Sequence, residues 1–239
     1  EDDLDFHDMN QDGSAQEAML HRAAELYKDD VEFASKLSRF LSDADTGVER
    51  LVPTEEMGFE SIFDEKNVHF KLVERMRPGL RLQHMTQDGS EVVFRQSSES
   101  SGTLRFIALL AIILQPSNRP RVVCIDELSA SLHPDLVRAV VKIVHSSSTN
   151  PHGNQLLFTT HDTHLMNPSE LLRRDQILLC QKNSVGESSV VRLDDFQDNA
   201  RSDANLQKQY LQNRFGGMPQ FGPTLEDVPV DDAPLEVTL

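Results

Sequence analysis

The chain has 239 residues, of which 38% are hydrophobic, and carries a formal net charge of −16. That length and apolar content supply one sizeable core, or one core and a smaller lobe. The acidic balance argues against a general nucleic-acid or membrane-surface binder. Two cysteines without metal-ligand spacing fit a reducing, cytoplasmic compartment and not a disulfide scaffold.

Taken in chain order, residues 15–45 place Leu20, Ala24, Tyr27, Val31, Ala34, Leu37, Phe40 and Leu41 at helical spacing. They predict one or two helices, and residues 1–75 are read as a helical lobe with an acidic start. "FKLVERM" reads as a short strand or helix end before an "RPG" break. "LRLQHM" and "EVVFRQ" flank "TQDGS", which predicts a hairpin around an Asp-Gly turn. A serine-rich loop, "SSESSGT", leads into an apolar helix, "LRFIALLAIIL", too short and interrupted to cross a bilayer. "VVCI" reads as a fully buried strand, "PDLVRAVVKIVHSS" as an amphipathic helix with Pro134 near its start, and "QLLFTT" as the next buried strand. Strand, helix, strand in this order predicts a parallel βαβ unit. "QILLCQK" and "SSVVRL" add two strands across a polar turn, and residues 222–239 read as a flexible, acidic, Pro-rich tail.

Three features converge on the carboxyl edge of that predicted sheet, where ligands of open α/β folds bind. The strand "VVCI" runs into Asp126 and Glu127, "QLLFTT" ends at His161, and Ser100, Ser101, Gly102 and Thr103 open a helix. Each suits phosphoryl transfer. A strand-end Asp can hold Mg²⁺ through its water shell. A neighbouring Glu can orient or deprotonate a water, and a His can donate to a phosphate. Hydroxyls and bare N–H groups at a helix start make an anion site.

"SSGTLR", "VVCIDELSASLHPDL" and "LLFTTHDTHLM", in this order, resemble the later half of an ABC-type ATPase. The similarity is to the prokaryotic AAA-labelled group of ABC-like ATPases associated with abortive infection and anti-phage defence, and covers roughly residues 35–221. It implies a P-loop NTPase-like α/β fold with a largely parallel sheet, its core spanning residues 76–221 after the helical lobe. By the same resemblance Ser100–Thr103 form the signature loop, Asp126 the Walker B carboxylate that holds Mg²⁺ through water, and Glu127 the general base. Ser129 to Leu132 form the loop at the dimer seam, and His161 is the switch histidine. The implied cofactors are ATP and Mg²⁺. The implied partners are a second head, in a homodimer or higher oligomer, and an effector protein. In such dimers the signature loop of one head completes the nucleotide site of the other.

The sequence departs from that pattern in one respect. Nothing matches G-x-x-x-x-G-K-[ST], and no lysine follows a glycine, so the cradle for the β- and γ-phosphates is absent from these residues. The chain opens on Glu1 without an initiator Met. The expectation is that a P-loop-bearing N-terminal half precedes it, that the intact protein is an Mg-dependent ATPase, and that these residues alone are inactive. Two alternatives stay open: a non-hydrolysing regulatory or dimerisation module for an effector, and an SMC-like ATPase acting on DNA. Nucleic acid is thus left open as a partner, and a membrane is not expected.

Three further features receive structural readings. Asp8, Asn10, Asp12 and Gly13 match the first half of a calcium loop, but Met19 stands where a bidentate Glu is required, so an acidic surface turn is preferred. Arg173 and Arg174 are read as a salt-bridge corner and not a DNA contact. His84 and His164 are left structural or unassigned.

Overall fold

The computed structural model describes residues 5–7, 13–64, 69–166, 171–183, 185–196 and 205–218. The chain divides into two compact units, Glu1–Thr163 and His164–Leu239. The calcium-like stretch falls largely on residues outside the described ones, as does the acidic tail.

The first unit opens with β1 (Asp5–His7), α1 (Gly13–Asp29) and α2 (Val31–Asp43). Asp30 separates the helices: its carboxylate accepts from the N–H of Phe33 at 2.9 Å and caps α2. Phe33, Leu37 and Leu41, at helical spacing, form the buried face of α2. Helix ends at Asp43, and β2 (Val48–Asp64) and β3 (His69–Met85) follow as long antiparallel strands, with β4 (Glu91–Arg95) beside β3. The helical lobe therefore does not reach residue 75, which lies inside β3. Leu51, Pro53, Met57, Phe59 and Phe63 stand two or four residues apart, a spacing that suits a strand better than a helix. Nor does "RPG" break the strand. Pro78 sits in β3 opposite Glu55, beyond the Arg81–Met85 stretch that pairs with β4, and a missing N–H is tolerated where one edge is open. The hairpin around "TQDGS" forms as expected. Asp88 accepts from Thr86 and Ser90, bonds that hold its carboxyl down at about 2, and Gly89 takes φ 80°.

α3 (Ser101–Leu114) is buried from Arg105 through Leu114, so it is the central helix of the unit and packs against α1, α2 and α4 (Pro134–His145). Its large apolar side chains each contribute about 1.5–3 kcal/mol on burial. α1 and α2 also cover one face of the β2–β3 pair, where Leu51, Leu80 and Leu82 are buried.

β5 (Val122–Ile125) and β6 (Gln155–Phe158) flank α4 in sequence and pair in parallel, and β1 pairs in parallel with the other edge of β5. The βαβ unit is thus present. The largely parallel sheet is not: β1, β5 and β6 are the parallel strands, while β2–β3–β4 form a separate antiparallel sheet. The cause is connection length. A parallel pair needs a crossover such as α4, whereas β2 and β3 lie only four residues apart in sequence and β3 and β4 five, too few for anything but antiparallel return.

In the second unit β7 (Leu178–Lys182) and β8 (Ser188–Arg192) form an antiparallel hairpin. Met166, Ile177, Leu179, Leu193, Leu206 and Phe215 make its core, with Leu206 opening α5 (Leu206–Leu211). Arg173 grips Asp175 with two bonds, at 3.0 and 2.8 Å, and Arg174 donates to the carbonyls of Leu193 and Phe196. Arg173 thus makes the salt bridge expected of this corner, whereas Arg174 holds backbone carbonyls and not a carboxylate.

Candidate functional site

β5 delivers Asp126 and Glu127 to its carboxyl end, and the end of β6 locks them there. Thr159 donates its N–H to the carbonyl of Ile125 at 3.1 Å and accepts at its own carbonyl from the N–H of Leu128 at 2.9 Å. Its hydroxyl donates to Asp126 Oδ1 and accepts from the N–H of Glu127 at 2.8 Å. One threonine thus holds both acidic residues.

Glu127 has φ 49°, the left-handed region that costs a residue with a Cβ roughly 1–2 kcal/mol. Its carbonyl receives two donors, the N–H of Ala130 at 3.0 Å and the Arg105 guanidinium at 2.7 Å. The conformation is therefore held from both of its peptide groups. It aims the Glu127 side chain off the strand line toward His161, whose Nε2 lies 4.0 Å from Glu127 Oε1. That pair stands in solvent, with His161 at 93% and Glu127 at 50% side-chain exposure. By itself it contributes little to stability. Its placement suits something that lands on this edge.

Arg105 is 5% exposed, on an otherwise apolar helix. Burial pulls its guanidinium below the ordinary arginine range, and the charge of Glu127 opposes that. An arginine stays protonated regardless, so α3 carries a permanent positive charge under the Asp126–Glu127 turn. Neither Arg105 nor Thr159 was among the residues expected at the site. The available signal for Arg105 was a charge inside an apolar run.

The Ser100–Thr103 loop sits at the amino end of the same helix. Ser100 caps the helix: its Oγ accepts from the N–H of Thr103 at 3.0 Å and meets the Thr103 hydroxyl at 2.8 Å. A Cβ added to Gly102 would lie 2.5 Å from the carbonyl oxygen of Ser131. The glycine is thus required for close approach between this loop and the Ser129–Leu132 turn, where Ser131 itself has φ 59°. That turn is closed by the N–H of Leu132 on the carbonyl of Ser129 at 3.1 Å, and Thr160 donates to Ser129 Oγ at 2.8 Å. His133 then caps α4, with Pro134 at its first turn. Behind the loop, His84 of β3 meets Glu99 at 2.6 Å, with Glu99 only 8% exposed. This bond ties the antiparallel sheet to the residue before the cap, which gives His84 a structural role.

Asp126, Glu127 and His161 thus share one edge, and Gly102 and Arg105 join the Ser100–Thr103 helix to it. Among the described residues no group of three or more His, Cys, Asp or Glu is placed to hold a metal ion. A cation at Asp126 would take most of its oxygens from a phosphate and water, which is how Mg²⁺ is commonly held. The donor set fits that part of an Mg-nucleotide site. No helix among the described residues is long and apolar enough to cross a membrane.

The sequence model of a family described as "AAA domain, putative AbiEii toxin, Type IV TA system" matches residues 20–167, more than half of the chain. The match takes in the loop, both strand ends and the turn between them. No curated protein matches the chain.

Proposed function

The chain belongs to this AAA-domain, AbiEii-toxin-linked family, and on that premise we propose that it forms one ATP-hydrolysing head of a head-to-head dimer. Such a dimer would be the motor of a prokaryotic anti-phage or toxin-type system and would control an effector. The observation that carries this reading is the double hold on Glu127. A left-handed glutamate, fixed through its N–H by Thr159 and through its carbonyl by Arg105, faces a histidine across an exposed edge. Conformations of that cost persist where the surroundings over-determine them, and they cluster at active sites.

The geometry supports the following roles. Glu127 would orient a water and accept its proton, and His161 would donate a hydrogen bond to the same water or to a phosphate oxygen. Asp126, fixed by Thr159, would take its place in the water shell of Mg²⁺. Ser100–Thr103 would present hydroxyls and helix N–H groups to the nucleotide of the partner head. Bound Mg-ATP would supply the phosphoryl group and the metal charge that stabilises its transfer. Exclusion of bulk water is the remaining requirement, and a second head over the open Glu127–His161 pair would meet it. The β- and γ-phosphate cradle would come from residues outside these 239.

ATP turnover of the full-length protein beside its Glu127→Gln variant tests the reading. Loss of a general base costs about 10²–10⁴-fold, so turnover should fall by that order while ATP binding persists. Equal turnover in both proteins, or none in either, would sink it.

A further inference from the structure

The cross-strand register of the antiparallel sheet sorts its side chains by charge. Residues opposite one another share a face. Arg81 lies opposite Arg95 and Val52, Arg77 opposite Glu56, Arg75 opposite Gly58, and Gln83 opposite Arg50 and Val93. All therefore lie on one face, and Leu51, Leu80 and Leu82, buried beneath the helices, lie on the other. The arginine face is solvent-accessible: Arg50, Arg75 and Arg95 are exposed, and Arg77 and Arg81 half-buried. Arg50 donates to Gln83 at 3.1 Å. Among the described residues no carboxylate forms an ion pair with Arg50, Arg77, Arg81 or Arg95, and Arg81 Nε is buried without a hydrogen bond. Glu56 and Glu91 are the described acids on this face, and Glu56 leans over Gly79. The stem of Arg77 lies across Gly58, 2.9 Å from where a Cβ would stand, so the glycine lets this arginine lie flat on the sheet.

We propose that this arginine row is a docking surface for the phosphate backbone of duplex nucleic acid. At about 3.4 Å per residue, Arg75 to Arg81 alone spans roughly 20 Å, and Arg50 and Arg95 extend and widen the row. The occupant follows from charge density. The arginine row reverses locally the sign of a chain whose net charge is −16, so its occupant must place several anionic groups as close together as the guanidinium groups to outweigh repulsion from the rest of the surface. Duplex nucleic acid presents about one charge per 1.7 Å of axis, and the planar guanidinium fork matches phosphate oxygens. No aromatic side chain stands among the described residues of this face, so it offers no platform for stacking bases. The contact is with the backbone and carries no sequence preference. The surface is separate from the carboxylate edge and does not depend on the ATPase reading.

Fluorescence anisotropy of the 239-residue chain with a labelled duplex of about 20 base pairs tests this. Binding should be sequence-independent and should weaken about 10²-fold between about 50 and 200 mM salt, as expected for three to four phosphate contacts at a slope near −0.9 each. The R77A/R81A/R95A variant should lose at least about tenfold in affinity and reduce the salt slope by roughly two to three. A K36A/R39A control on α2 should bind as the parent does, and thermal melting should show both variants folded. Loss of affinity shared equally by the α2 control, or a slope unmoved by the triple variant, would overturn the assignment. So would poly-glutamate competing as well as duplex at equal charge, which would make the surface one for acidic protein.

Discussion

The cost of a left-handed glutamate is met by two side chains, and one of them separates position from stability. Arg105 is desolvated, and replacing a buried charge by an apolar side chain of similar size is often nearly neutral for folding. The Glu127 carbonyl would not be orphaned, since it also accepts from Ala130. Arg105→Met should therefore shift unfolding free energy by no more than about 1–2 kcal/mol. What it removes is the tether on Glu127. In the full-length protein turnover should fall by about tenfold or more with KM for ATP little changed, the pattern of an interaction made in the transition state. Arg105→Lys, which keeps charge but not the guanidinium geometry, should recover only part of that loss. A drop in KM and kcat together, tracking the loss of stability, would reduce Arg105 to a packing residue.

At the level of elements, α3 joins two functions that lie far apart in the chain. Its first turn carries the Ser100–Thr103 loop, and its second carries Arg105 under the acidic turn. The Gly102–Ser131 approach makes the loop and the Ser129–Leu132 turn one mechanical piece. Gly102→Ala forces a backbone carbonyl to yield from a 2.5 Å encounter, and neither side is a flexible side-chain end. A cost of about 1–3 kcal/mol is expected, measurable by denaturant unfolding. Turnover should fall by more than that stability loss explains, because both the loop and the turn must move. These local pieces were legible in the sequence. A strand ending in Asp126-Glu127, a second ending near His161, and a capped apolar helix each declare themselves within a few residues, although the second strand is not the buried one its composition predicted: Leu157 is 57% exposed. The β2–β3 pair was not legible in the same way. Val48–Asp64 takes its strand form from a partner 5 to 36 residues away in register, Pro78 disguised β3 as two pieces, and the parallel or antiparallel sense of a strand is set by its connection and not by its own composition. Arg105 was hidden for a related reason: a lone charge in an apolar run shows its purpose only when the carbonyl it meets is in place.

For the whole molecule, net charge gives the two proposed associations opposite signs. Two heads of net charge −16 repel one another, and salt relieves that repulsion. The screening length falls from about 30 Å at 0.01 M to about 8 Å at 0.15 M. Head-to-head pairing of the full-length Glu127→Gln variant with MgATP should therefore strengthen as salt rises over that range. Nucleic acid on the arginine row should behave in reverse, because each contact releases condensed counterions and salt opposes that release. Sedimentation with MgATP and anisotropy with duplex, run on one preparation at about 0.02 and 0.15 M salt, should show dimer gained and nucleic acid lost in parallel. The argument extends to the two together. A bound duplex neutralises part of the arginine row and adds negative charge to the head, so at low salt it should further oppose pairing unless the duplex bridges both heads. Duplex that promotes dimerisation at low salt would then mark a bridging geometry, with the arginine rows of the two heads on one side of the dimer. Dimerisation that weakens as salt rises would show instead that local complementarity at the seam outweighs the net charge.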